Sequence, residues 1–186
     1  MKIIKSIFYF LLPLISIDVN AQSVNKLLLN KSSIYFVSEA PLERIEAKST
    51  KLKGLILTYD KTFAFSVDNS SFNGFNGSLQ QEHFNENYLE SDRYPHSTFE
   101  GKIVEPIDFS KDGKYEIRAK GKLKIHGVEK EKIIKINIEI KNGRLIANSK
   151  FTVYLKEFGI FVPSIVNQKI AEEIQVSVQM VFDKYE

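Results

Sequence analysis

The second half of the chain alternates between apolar and charged residues, and this period of two constrains the fold more than any other feature. In the run YEIRAKGKLKI, which begins at Tyr115, every second residue is apolar or glycine and all the others are charged. The next run has isoleucine at every second position from Ile134 to Ile140. Successive side chains of a strand point to opposite faces, so the pattern predicts long strands that bury one face.

Turn signals and shorter alternating runs extend this pattern to most of the chain. The pair Asn142-Gly143 tolerates positive φ and predicts a hairpin, and the run HGVEK from His126 predicts another turn. Further one-sided runs surround Phe65 and Phe151 and reach the C-terminal segment EIQVSVQMVF. Roughly nine strands with few helices predict an all-β, antiparallel fold, either a closed barrel or a two-sheet sandwich.

One helical signal interrupts the strands, and it predicts a single short helix near residues 78–90. Ser78 is a candidate N-cap with Gln81 three residues further on, a pattern typical of helix starts. Tyr94-Pro95 ends the segment, because proline disfavours helical geometry in the residue before it. The apolar stripe of this helix consists of Leu79, Phe84, Tyr88 and Leu89.

The N-terminal segment is typical of a secretory signal peptide rather than of a folded element. Two lysines precede an apolar run at residues 7–17 that is too short to span a bilayer permanently. Val19 and Ala21 supply the small residues that a signal peptidase accepts, which predicts removal of residues 1–21. The expected mature protein is therefore one domain, residues 22–186, without a stable transmembrane segment and located in the periplasm or secreted.

The amino-acid composition excludes several classes of function. The chain has no cysteine, so disulfides, thiol chemistry and cysteine-bound metals are excluded. The formal net charge is only +3 and the basic residues are interspersed with acids, which gives no electrostatic reason to expect nucleic-acid binding. Homodimerisation is compatible with the sequence. A chain of this length can bury a full hydrophobic core without covalent cross-links.

The polar run QEHFNENYLESDRYPHSTF, residues 81–99, contains residue types that could act in catalysis or bind a metal. His83 and Glu86 would lie one turn apart on a helix and could share a metal, but a second pair of ligands would be required. The sequence has no G-x-S-x-G elbow, no H-E-x-x-H motif and no phosphate-binding glycine loop. We therefore predict no metal, no cofactor and no enzymatic activity.

Two linked motifs carry a resemblance to a known family. The run HFNENYLESDRYPHSTFEGKI is followed by GKLKIHGVEKEKIIKINIEI. Their order and spacing resemble the YceI-like family of exported bacterial proteins, in the variant common in Bacteroidetes-type bacteria, across nearly all of residues 22–186. The positions that carry the likeness are Tyr88, Leu89, Tyr94, Pro95, Thr98, Phe99, Gly101, Gly121, Leu123, Gly127 and Val128.

The resemblance implies a lipocalin-like antiparallel barrel of about eight to nine strands, with the helix near one end. It also implies an exported binding protein that holds an apolar amphiphile, such as a polyisoprenoid, a fatty acid or a similar lipid, inside the barrel. The alternative is a non-catalytic interaction module of the cell envelope or its stress response, with a filled barrel. Large inward-facing side chains are compatible with both the binding protein and the interaction module, because such side chains can line a tunnel or fill it.

Candidate ligand contacts follow from the inward-facing positions and from the position of the helix. The expected cavity wall consists of Phe65, Val67, Phe99, Ile117, Leu123, Phe151, Val153, Val176 and Val178. Longer family members often carry an R-D-x-H-L cluster where this chain has QEHFNENYL. By position, His83, Asn85 and Asn87 are the candidate polar residues at the mouth of the barrel.

Overall fold

The computed structural model describes residues 26–184, which form nine antiparallel strands and one short α-helix. The predicted signal segment and its cleavage site lie outside the described residues. The elements are β1 (Lys26–Glu39), β2 (Arg44–Ser49), β3 (Lys53–Leu57), β4 (Thr62–Asp68), α1 (Ser78–His83), β5 (His96–Ile103), β6 (Gly113–Ile125), β7 (Val128–Lys141), β8 (Arg144–Tyr154) and β9 (Glu173–Lys184). A π-helical turn at Phe84–Tyr88 continues α1, and 3₁₀ turns cover Asn69–Ser71, Leu155–Phe158 and Ser164–Val166.

Strand β1 closes the sheet into a barrel by pairing with three other strands. Along one edge it pairs with β9, including Phe36 opposite Val176. On its other edge, the first residues pair with β3, with Leu27 opposite Ile56, and the last residues pair with β2, with Phe36 opposite Ala47. Eight strands are thereby closed and β2 is added at one end. The predicted all-β barrel is confirmed, and the sandwich is not formed.

The alternating runs form strands with the predicted inward faces. The four isoleucines at every second position of β7, from Ile134 to Ile140, are buried, while the residues between them are exposed. Both predicted hairpins are present, because His126-Gly127 and Asn142-Gly143 adopt positive φ at both central positions. Two-residue turns of this kind match the twist of the strands that they join.

Two glycines of the family motif allow β5 and β6 to approach each other closely. Gly101 lies directly opposite Gly121 in the register of the two strands. A Cβ atom on Gly101 would overlap the backbone of Lys120, and one on Gly121 would overlap the backbone of Glu100. The close approach at this point of the barrel wall therefore requires glycine on both strands.

The two ends of the barrel differ in how they are filled. At the end where β1 meets β3, the interior is packed by a group of side chains that we call the plug, and each of them is at most 5 % exposed. The plug consists of Phe63, Ile117, Ile138, Ile140, Leu145 and Phe182. The opposite end, where β1 meets β2, faces α1 and the helical turns.

The helical segment starts and ends close to the predicted positions, but its N-terminal capping differs from the expectation. Ser78 is the first helical residue rather than the cap, and Gly77 precedes it without a side-chain hydrogen bond. The side chain that reaches back is that of Gln80, whose Oε1 accepts a bond from the backbone N–H of Asn76 at 3.1 Å. The expected capping role of Ser78 is therefore wrong, because the glycine before it occupies the cap position.

A histidine outside the helix anchors the end of the helical segment to the barrel. The Nε2 atom of His126 lies 2.9 Å from Oε1 of Glu90, and its Nδ1 atom lies 3.2 Å from the carbonyl oxygen of Phe158. The ring of Tyr94 packs edge-on against this imidazole at 4.9 Å between centroids. A Cβ on Gly127 would overlap the Tyr94 ring, so the Tyr-Pro and Gly motifs of the family meet at this contact.

The anchor predicts a specific loss of stability in acid. The hydrogen bond from His126 lowers the pKa of Glu90 below its ordinary value of 4.5. A carboxylate whose pKa is lowered by folding stabilises the protein above its unfolded pKa, and that contribution disappears as the pH falls through the folded value. Glu90→Gln should therefore lose less stability than the wild type between about pH 6 and about pH 3, as measured by chemical denaturation.

The matched control for this experiment is Glu82→Gln, which removes an exposed carboxylate from α1. This variant should keep the acid dependence of the wild type. Equal acid dependence in the wild type and in Glu90→Gln would contradict the stabilising role of the Glu90–His126 contact.

Candidate functional site

The half of the barrel opposite the plug encloses a cavity of about 650 Å³. Its wall comes from the parts of β1 and of β4 to β9 that are nearest to α1, and α1 with its π-helical turn covers one side of the opening. The lining of β9 runs from Ile174 to Met180, which corresponds to a depth of about 20 Å along the strand. The barrel is therefore filled at one end and hollow at the other, and the wholly filled barrel of the alternative interpretation is not present.

Most residues that the sequence nominated for the cavity wall line this space. They are Phe65, Val67, Phe99, Leu123, Phe151, Val153, Val176 and Val178. Ile117 does not line it, because this residue lies one inward position below Ala119 and is only 2 % exposed within the plug. Alternation identifies the inward face of a strand but not the depth of each residue in the barrel. Ligand contact by the eight lining residues stays a prediction.

The three polar residues nominated for the mouth have different surroundings. His83 is exposed and lines the opening. Asn85 does not line the cavity: its Nδ2 donates to the carbonyl oxygen of Gln81 at 3.1 Å and its Oδ1 accepts from Ser91 Oγ at 2.9 Å. Asn87 is exposed and also lies away from the cavity. Of the three, His83 is the one in a position to meet a ligand.

An aromatic cluster that the sequence did not fully reveal forms the side wall beneath α1. Phe36 stacks on Phe84 with ring centroids 5.3 Å apart, and Phe72 and Phe75 lie 5.4 and 6.0 Å from the Phe36 ring. The segment that carries Phe72 and Phe75 has no periodicity. It reaches this position because Asn73 pairs with Lys48 at the outer edge of β2.

Buried polar side chains of the cavity wall are already engaged by the protein itself. Asn69 is fully buried; its Nδ2 donates to the carbonyl oxygen of Tyr94 at 2.7 Å, and its Oδ1 accepts from Ser97 Oγ at 2.8 Å. The hydroxyl of Ser149 donates to the carbonyl oxygen of Lys135 at 2.7 Å. A polar ligand group placed beside Ser149, at the base of the cavity, would lose its water without gaining a free partner from this hydroxyl, which is unfavourable.

Polar groups that remain accessible lie around the opening instead. Glu43 accepts a hydrogen bond from Gln80 Nε2 at 2.9 Å, and the exposed side chains of Lys169 and His83 also line this end. Burial raises the pKa of Tyr88, so its hydroxyl stays neutral at the cavity wall. The cavity is therefore apolar in its depth and polar at its entrance, which suits an amphiphile with its polar end outward.

The described chain offers little for metal chemistry. Within residues 26–184, no three side chains of histidine, aspartate or glutamate are grouped so that they could hold a metal ion.

Within the described residues, no helix combines the length and the apolar character needed to cross a bilayer.

Solved structures with this architecture come from several bacteria. A polyisoprenoid-binding domain from Saccharophagus degradans, implicated in plant cell wall breakdown, has a TM-score of 0.73 at 14 % identity, over 87 % of this chain and 99 % of the other. Burkholderia cenocepacia BcnA has a TM-score of 0.63 at 15 % identity, over 81 % and 95 % of the two chains. The Campylobacter jejuni YCEI protein has a TM-score of 0.56 at 14 % identity, over 100 % and 94 %. At these identities the structures show a common fold.

Comparison of the sequence with protein families gives a match over almost the whole described region. No curated protein matches the chain. The family model of the YceI-like domain matches residues 23–182, which include β1 to β8, all but the last two residues of β9, α1 and both motifs that carry the resemblance. The chain therefore belongs to the YceI-like domain family.

Proposed function

We propose that this protein is an exported carrier that holds an apolar amphiphile, a polyisoprenoid or a similar lipid, in the hollow half of its barrel. The observation that carries the proposal is the cavity of about 650 Å³, whose deep wall is formed by aliphatic and aromatic side chains and by the engaged hydroxyl of Ser149. Its volume lies within the range of about 300–1,000 Å³ that is typical of small-molecule sites.

The hydrophobic effect alone gives such a site useful affinity. Transfer of one methylene group from water to an apolar wall contributes about 0.8 kcal/mol. About ten buried methylene groups would therefore contribute about 8 kcal/mol, which corresponds to a Kd near 1 μM before the cost of ordering the chain. The entrance residues Lys169 and His83 would then orient a polar or anionic head group rather than provide most of the affinity.

The solved relatives support the choice of ligand class. The Saccharophagus degradans domain, which shares the barrel over 87 % of this chain, is described as polyisoprenoid-binding. A prenyl chain consists of apolar carbon with one polar end, and this chemistry matches a cavity that is apolar in its depth and polar at its entrance.

The arrangement of polar groups favours holding the ligand over converting it. Ser149 is the hydroxyl of the deep wall that could act as a nucleophile, but it donates to a backbone carbonyl and has no histidine partner among its hydrogen bonds in the described chain. His126, the histidine with a carboxylate partner, anchors the helical segment and does not line the cavity. We accordingly assign a binding role and no catalytic step.

A charge placed on the cavity wall tests the proposal. Val153 is 5 % exposed and lines the cavity, so Val153→Glu would put a carboxylate against the bound chain and should reduce binding of a prenol such as farnesol at least tenfold. Ile133→Glu introduces the same charge on the outer face, where Ile133 is 59 % exposed, and should leave affinity unchanged. Displacement of a fluorescent apolar probe measures both variants against the wild type.

A second variant separates loss of the site from loss of the fold. Val153→Trp narrows the same part of the cavity without adding a charge, and it should also weaken binding while thermal unfolding remains cooperative. Equal farnesol affinity in the wild type, both Val153 variants and Ile133→Glu would show that the cavity is not the binding site.

Export is the cellular part of the proposal, and it rests on the N-terminal sequence. Signal peptidase cleavage after Ala21 should give a protein whose intact mass corresponds to residues 22–186 when it is recovered from the envelope fraction of its own or a related bacterium. Ala21→Phe should block processing, because the peptidase pocket admits only small residues at that position. Recovery of the unprocessed wild-type chain from the cytoplasm would contradict export.

A further inference from the structure

We propose that four side chains at the base of the cavity, here called the floor, limit the bound ligand to one apolar chain of about 25 carbons. The inference rests on the proposed function and specifies the ligand that the site can hold. The floor consists of Ala119, Ile136, Ser149 and Met180, which are the deepest residues of β6 to β9 that line the cavity.

The floor is closed because the plug lies directly beneath it. Ile136 and Ser149 are cross-strand neighbours on β7 and β8, and Met180 faces Ala147 across β8 and β9. One inward position nearer the plug, Ile117 of β6 is 2 % exposed, Ile138 of β7 is 3 % exposed and Phe182 of β9 is fully buried. A chain that reaches the floor therefore has no path towards the other end of the barrel.

The volume of the cavity sets the number of carbons that it can take. An apolar cavity of about 150 Å³ holds one benzene molecule, which corresponds to about 25 Å³ per carbon atom. The cavity of about 650 Å³ then holds about 26 carbons, close to five isoprene units.

The distribution of polar groups sets the direction of the chain. At the base, Ser149 uses its hydroxyl in a hydrogen bond to the protein, whereas Lys169 and His83 are exposed at the entrance. The polar head therefore stays at the entrance and the apolar end points to the floor. Carbons beyond the capacity of the cavity remain in water, and they add nothing to affinity.

A ladder of chain lengths tests this limit directly. The probes are saturated fatty acids in two-carbon steps, from well below to well above the expected capacity, in competition with a fluorescent apolar probe. Affinity should rise about fourfold per methylene group while carbons enter the cavity. It should stop rising at about 25 carbons.

The chain length at which affinity stops rising is here called the break. Two floor variants should move the break in opposite directions. Met180→Ala removes three heavy atoms from the floor and should shift the break to chains about three carbons longer, whereas Ala119→Leu adds three and should shift it to chains about three carbons shorter. The double variant keeps the number of heavy atoms and should return the break to the wild-type length. Ile140→Val changes the plug away from the floor, so it should leave the break in place.

The outcomes separate this inference from the proposed function. Binding that continues to strengthen beyond the expected capacity, or a break that neither floor variant moves, would overturn the floor as the limit while leaving lipid binding intact. Absence of binding at every chain length in the wild type would overturn the proposed function as well. If Met180→Ala does not fold, Ala119→Leu alone decides, since it fills space rather than creating a void.

Discussion

The division of β1 between two partners is the constraint on which the rest of the structure depends. Its first residues pair with β3, its last residues pair with β2, and its other edge pairs with β9 throughout. The barrel is therefore closed by backbone pairing at one end. At the other end β1 pairs with β2, which has no pairing to β4 in the described sheet, and this leaves a gap in the wall between β2 and β4. The aromatic cluster around Phe36 and the segment with α1 close that gap with side chains and loops instead of backbone pairing.

This asymmetry separates the part of the barrel that stabilises the fold from the part that is available to a ligand. The plug buries large side chains such as Phe182 and Leu145 almost completely, and it provides packing that the hollow half lacks. The side chains that face the cavity lack packing contacts on that side, and a bound apolar chain would supply them. A ligand that binds only the folded state also stabilises the protein by mass action.

The sequence predicted the barrel well because the information needed is local and repeated. Alternation along β6, β7 and β9 identifies the inward faces, and the Asn-Gly and His-Gly pairs determine where the chain reverses. The alternating pattern does not determine how deep a residue lies in the barrel. Ile117 and Ala119 both point inward from β6, yet Ile117 belongs to the plug and Ala119 belongs to the floor. Strand stagger and barrel closure decide that difference, and both depend on pairings between residues far apart in the chain.

The polar residues of the site were harder to predict for a related reason. Asn85 has the right position in the family pattern, but its side chain is engaged within its own helical turn. The contact between His126 and Glu90 joins residues 36 positions apart, and it leaves no signature in either local segment. Phe72 and Phe75 lie in a segment without periodicity, so their place in the wall depends on a single bridge to β2.

The measurement that tests the central claim most directly is native mass spectrometry of the mature protein purified from a bacterial envelope, followed by organic extraction and lipid analysis. The account predicts a stoichiometric apolar chain that leaves the protein on extraction and whose length does not exceed what the cavity can enclose. A fully folded protein that carries no lipid and takes up neither added polyprenyl nor fatty-acyl compounds would contradict the account.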